Sequence, residues 1–207
     1  MKKRFVMMAL DGTQSDFFGL ILCGVLFIGG SVAGSVMAGF LQDGDALYRY
    51  VTAFLDAYRA GPQADFFAAL FSTAKYHLAA VFFGFSVLGP LLIPALAAVR
   101  GFFLSFSVTA VMRCLGAKGI AFTLSLFGIP AVVSIPCFFV LSALAFSSSL
   151  YLLRLLRAHG ARTTSSPFCS RLLVSCVACF VLLVALAAAD AYLISRLVSY
   201  AASHINL

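Results

Sequence analysis

The 207-residue chain contains no glutamate and no tryptophan, and only 10% of its residues are charged, against roughly 25% in a soluble domain. A soluble domain of this size still exposes a large surface that polar residues must cover. With 63% hydrophobic residues and a mean hydropathy of +1.07, this chain has no such cover. A water-soluble enzyme is excluded, and so is intrinsic disorder. H-E-x-x-H is absent, as are a P-loop and G-x-S-x-G. His77, His159 and His204 lie in three separate regions, none with an acid at helical ligand spacing, so neither a catalytic set nor a metal set assembles. The expectation is a non-enzyme without a cofactor. The missing tryptophan leaves Tyr48, Tyr50, Tyr76, Tyr151, Tyr192 and Tyr200 as the aromatics for a membrane interface.

What the chain does have is long uncharged runs, at 17–42, 76–99, 119–153 and 172–189. About 20 apolar residues at 1.5 Å each cross the roughly 30 Å hydrocarbon core, so these runs read as membrane segments. The net charge of +7 does not point to nucleic acid, because the basic residues form no stripe interleaved with aromatics. They punctuate the apolar runs, as the positive-inside rule expects. Lys2, Lys3 and Arg4 before an apolar run outline a signal peptide, but the run is too long and Ser35–Gly39 is a poor cleavage site. An uncleaved first span with a cytoplasmic N-terminus is expected. Of the six cysteines, most lie inside apolar runs, where a thiol behaves as a small hydrophobe. Cys176 and Cys179 have C-x-x-C spacing without a second pair to complete a zinc site.

The pattern predicts an all-α integral membrane bundle, a single domain over 1–207, with about five spans near 17–40, 72–99, 101–116, 133–155 and 171–195. Its centre is expected to be broken or re-entrant. In the first span Gly30 and Gly34 form GxxxG, and Gly29 with Ala33 a second small-xxx-small pair. Such a face lets another helix approach closely, either inside the chain or in a homodimer. Residues 41–65 hold four of the seven acids and predict an amphipathic outer helix, with Tyr50, Phe54, Asp56 and Arg59 as candidate partner-binding residues. The basic stretch 156–170 is expected in the cytoplasm. Arg100 is expected to end the second span. Arg113 and Lys118 either snorkel to an interface or hold an anionic group or a partner on the outer side. Asp190, near the end of the last span, reaches the interface, pairs with Arg196, or serves a proton or ion.

One stretch carries a likeness. Gly84-Phe-Ser-Val-Leu-Gly89-Pro90 is followed by Pro94, Arg100-Gly101, Gly116-Ala-Lys118-Gly119, Pro130 and Pro136. In order and spacing this resembles the stage II sporulation protein M family of endospore-forming bacteria. Where many members carry Gln or Asn after the first of the two last prolines, Ala131 stands here. The resemblance implies a multi-pass protein of the bacterial cell membrane, placed in the septal and engulfing membrane during sporulation. It implies a scaffold that recruits two membrane-anchored peptidoglycan hydrolases, a lytic transglycosylase and an amidase/endopeptidase. The competing reading of the same sequence is a small transporter subunit, the substrate-binding component of an energy-coupling transporter, which also uses broken helices.

Overall fold

The computed structural model describes residues 2–40, 49, 53, 66–116, 120–157 and 167–189, and among them there is no strand. The helices are α1 (Lys2–Phe40), α2 (Phe66–Gly84), α3 (Gly89–Leu115), α4 (Ile120–Thr123), α5 (Ile129–Arg157) and α6 (Pro167–Ala189). A π-helical turn, Leu124–Gly128, joins α4 to α5. The all-α bundle expected from composition is what the chain forms. Three of its helices are long and apolar enough to cross a membrane: Ser15–Phe40, Gly89–Cys114 and Ile129–Leu153. Their outward residues, such as Val25, Ile28 and Val32 on α1 or Phe103 on α3, are exposed hydrophobics of the kind that faces lipid.

The centre of the bundle is α5. Nine consecutive residues, Leu141–Ser149, are buried, and a helix buried on every side must be covered all round. It is packed against α1, α2, α3 and α6. Its sequence there, LSALAFSSS, is rich in Ala and Ser, which lets neighbouring backbones come close. Phe27 of α1 meets Phe139 edge-on at 5.4 Å, and Phe18 meets Phe146 at 6.2 Å, so α1 runs antiparallel to α5. The ends bearing Lys2–Arg4 and Arg154 therefore lie on one side of the bundle.

A sharp reversal at 85–88 joins α2 to α3. Phe85 and Ser86 donate to the Phe82 and Phe83 carbonyls at 3.2 and 3.0 Å, and Gly89 N–H donates to the Ser86 carbonyl at 3.2 Å. The Ser149 hydroxyl of α5 donates to the same Ser86 carbonyl and fixes the turn to the core. Pro90 opens α3, where its missing N–H costs nothing. This corrects the expected division of the chain. The sequence places a span over 72–99 and another over 101–116, divided at Arg100. The chain instead turns at 85–88, and α3 runs unbroken through Pro94, Arg100 and Gly101. The charge at Arg100 therefore lies inside a helix, and the boundary falls in the apolar residues 85–88.

The central interruption of the helices comes after α3. Gly116 ends that helix at φ 58° and ψ −150°, a region open to glycine almost alone. The π turn then precedes Pro130. Proline there cannot donate to the Leu126 carbonyl, four residues back, and would clash with it in a regular α-helix. The wider turn, with Ile129 N–H bonded to the Leu124 carbonyl, accommodates it.

Candidate functional site

Two places in the bundle concentrate chemistry: the seam between α1 and α3, and a polar cluster where α2, α3 and α5 meet.

At the seam the two helices run parallel and touch backbone to backbone. A Cβ at Gly30 would collide with the Ala98 carbonyl, one at Gly34 with the Phe102 carbonyl, and one at Gly101 with the Phe27 carbonyl. The Ser35 and Ser105 hydroxyls bond across the seam, and the Ser31 hydroxyl donates to the Phe27 carbonyl at 2.8 Å. The Gly30/Gly34 face is therefore spent inside the chain. Gly29 and Ala33, one residue away on each turn, are exposed, and nothing lies within 4 Å of a Cβ at Gly29.

Arg113 closes the far end of this seam. Its Nη1 donates to the Ala38 carbonyl at 2.9 Å and to the Gly39 carbonyl. These are among the last carbonyls of α1, which have no partner within their helix, and a guanidinium there also meets the negative end of the helix dipole. Arg113 thus caps a neighbouring helix. Arg113→Ala is expected to lower stability by about 1 kcal/mol. It should shift thermal unfolding of the purified protein while leaving any captured partner in place. Loss of the partner at unchanged stability would restore the anion- or partner-holding role.

The second place centres on Arg100. Eleven residues of helix, about 16 Å, separate it from the start of α3, which puts it near the middle of the span. It is 9% exposed and does not reach an interface, which removes the expectation that it ends a span there. Its Nη2 donates to the Ser134 hydroxyl of α5. The guanidinium lies over the Phe138 ring at 4.4 Å and near the Tyr76 ring at 5.6 Å. His77, 3% exposed, donates from Nε2 to the Ser134 carbonyl at 3.1 Å and stands edge-on to Phe138 at 5.8 Å. A carbonyl only accepts, so Nε2 carries a proton. A cation in a span costs roughly 2.5–3.5 kcal/mol at the helix centre on insertion scales. Aromatic faces and a hydroxyl offset part of this, yet Nη1 is buried without a hydrogen-bond partner.

The remaining sequence candidates divide cleanly. Gly84 and Gly89 sit where α5 presses on the α2–α3 turn. A Cβ at Gly84 would be 2.8 Å from the Ala145 Cβ, and one at Gly89 would be 2.5 Å from the Ser149 Oγ. Pro94 and Pro136 lie inside α3 and α5. Tyr50, Phe54, Asp56, Arg59, Lys118, Gly119 and Asp190 lie outside the described residues. Cys23, Cys114, Cys137, Cys176 and Cys179 form no disulfide, and Cys137 and Cys179 pack with Leu141, as hydrophobes would. No group of His, Cys, Asp or Glu among the described residues could hold a metal. Sequence reasoning did not join Tyr76, His77, Ser134 and Phe138 to Arg100. The signal available was the spacing of Tyr76-His77 and Arg100 on either side of Gly89-Pro90, which a hairpin brings to the same depth. No protein-family model, no curated protein and no solved structure matches this chain.

Proposed function

We propose that this chain is a non-enzymatic scaffold of a bacterial cell membrane that recruits and holds peptidoglycan hydrolases, a lytic transglycosylase and an amidase/endopeptidase, for septal wall thinning and engulfment. The observation that carries the scaffold reading is the division of α1 into two small-residue faces. Gly30 and Gly34 are used to close the bundle; Gly29 and Ala33 face outward, at the spacing that admits a second helix. A hydrolase anchored by a single span has such a helix to offer. The basic end of the bundle is cytoplasmic by the positive-inside rule, which sets the acidic segment 41–65 on the side where wall enzymes work. The wall hydrolases themselves rest on the order of motifs from Gly84 to Pro136 alone.

Detergent pull-down of the tagged protein from sporulating cells, with mass spectrometry of what accompanies it, tests this. Wall hydrolases are expected, and deletion of 44–60 should release them. Gly29→Leu should cut recovery about tenfold, equivalent to about 1.4 kcal/mol of lost association. Recovery of an ATPase pair with a transporter subunit would sink the scaffold and favour the transporter reading. That second reading has its own observation, the Arg100–His77–Ser134 cluster at mid-span, since ionisable groups inside membranes are functional by default. An organic molecule retained in native mass spectra would support it.

A further inference from the structure

The helix α2 has 19 residues, about 28 Å, and packs along α3, α5 and α6. Lys75 stands at its middle, nine residues or about 14 Å from both Phe66 and Gly84. The ring of the adjacent Tyr76 lies 5.6 Å from the Arg100 guanidinium, which is itself near mid-span. Ionisable residues at this depth almost always face the bundle interior or a wet cavity. Lys75 does neither, for it is exposed on the outside of the bundle. It shares an outward stripe with Phe71, Leu78 and Phe82, which are 70%, 53% and 72% exposed. Those three side chains suit lipid, and the lysine between them does not. Snorkelling gives no relief. An extended lysine reaches about 6 Å, under half of the distance to either end of α2. Its Nζ stays 5.1 Å from the Tyr76 ring, in place of stretching toward the headgroups.

We propose that the Phe71–Lys75–Leu78–Phe82 face of α2 docks the transmembrane helix of a different protein, one that carries an aspartate or glutamate near the middle of its span. Charge complementarity selects this occupant. In hydrocarbon an unpaired lysine is costly, and a carboxylate at the same depth offsets that cost for both groups. A lipid phosphate lies at the headgroup level and does not meet it. A second copy in the same orientation brings no acid to this depth. The sequence has none between Asp65, ten residues before Lys75, and Asp190, beyond the end of α6. On α1, Asp16 is fourteen residues from Gly30, about 21 Å below the level of Ala98. The stripe also has the right repeat. Its steps of four, three and four residues are those of a helix seam that meets one partner helix along its length. This face is separate from Gly29 and Ala33, because α1 packs on α3 and α5, whereas α2 packs on α3, α5 and α6. The inference does not rest on the wall-hydrolase reading, and either can fail alone.

The first test uses the purified full chain in phosphatidylcholine vesicles. A labelled synthetic leucine helix with one central aspartate is added, and association is read by energy transfer. It should bind about tenfold more tightly than the all-leucine helix, and Lys75→Leu should erase the difference. That variant replaces an exposed side chain, so its melting temperature should not fall below that of the wild type. Equal binding of the two helices to the wild type, or a preference that survives Lys75→Leu, would overturn the proposal. The second test places a photo-crosslinking side chain at Leu78 in native membranes. The adduct should contain a span with an acid, and changing that acid to its amide should abolish the adduct. Adducts with lipid alone, with this chain or a second copy of it, or with a span lacking an acid would overturn it.

Discussion

Gly30→Leu will prevent α1 from seating on α3, whereas Gly29→Leu, one residue away, will leave the fold's stability unchanged. In lipid, apolar side chains gain little by leaving the hydrocarbon, so two spans are held by close packing and a few hydrogen bonds. The seam achieves that by removing side chains where backbones meet. At Gly30 the first atom of any side chain would lie inside the Ala98 carbonyl, which belongs to a helix and cannot swing aside. The helices would have to part, and the contacts at Gly34, Gly101 and Ser35–Ser105 would loosen with them. Overpacking of this kind costs about 1–3 kcal/mol in soluble cores, and a loss of about 3 kcal/mol or more is expected here because the obstacle is backbone. For a chain of this size that is a fall in melting temperature of roughly 6–12 °C. Thermal unfolding of the two variants side by side checks it. Similar losses for both would mean that Gly29 is as enclosed as Gly30, and the division of α1 into two faces would be wrong.

The second large effect is expected at the α2–α3 turn, with a rescue. Gly84→Ala puts a methyl 2.8 Å from the Ala145 Cβ and 3.0 Å from its Cα. Both belong to the most buried stretch of α5, which has no room to shift. A loss of about 2 kcal/mol is expected. Ala145→Gly alone costs about 1 kcal/mol from helix propensity. Together the two changes should cost less than their sum, with a coupling of about 1 kcal/mol in a double-mutant cycle, because the Ala145 methyl is the nearer obstacle. Additive losses would mean that the turn and α5 do not touch in the folded protein.

Those two glycines show how far the chain could be read from its letters. Gly89, Pro90 and Pro94 predict only a bend where the chain turns back at 85–88, whereas the GxxxG of α1 predicts the close helix contact that forms, because small residues in apolar sequence have few other uses. The strand-free, membrane-spanning character followed from composition alone. What was not legible is pairing. The residues 85–88, Phe-Ser-Val-Leu, are as apolar as the helices they join, so no change in polarity marks the turn; what makes it is a ladder of backbone hydrogen bonds resting on Ser149. Arg100 misled for the opposite reason. Charge usually marks a span's end, and the features that allow it in mid-span come from α2 and α5, which lie 24 residues before it and up to 38 after it. Cation–π contact with Tyr76 and Phe138 leaves no local signature. The Arg113 cap is similar, since its acceptors are carbonyls 75 and 74 residues earlier.

A photo-crosslinking side chain placed at Ala33, which is exposed on the open face of α1, tests the central claim most directly when irradiated in native membranes. If that face holds a partner, the adduct contains the transmembrane segment of a wall hydrolase and disappears when 44–60 is deleted. Adducts with lipid alone, or with a second copy of this chain, would contradict the scaffold.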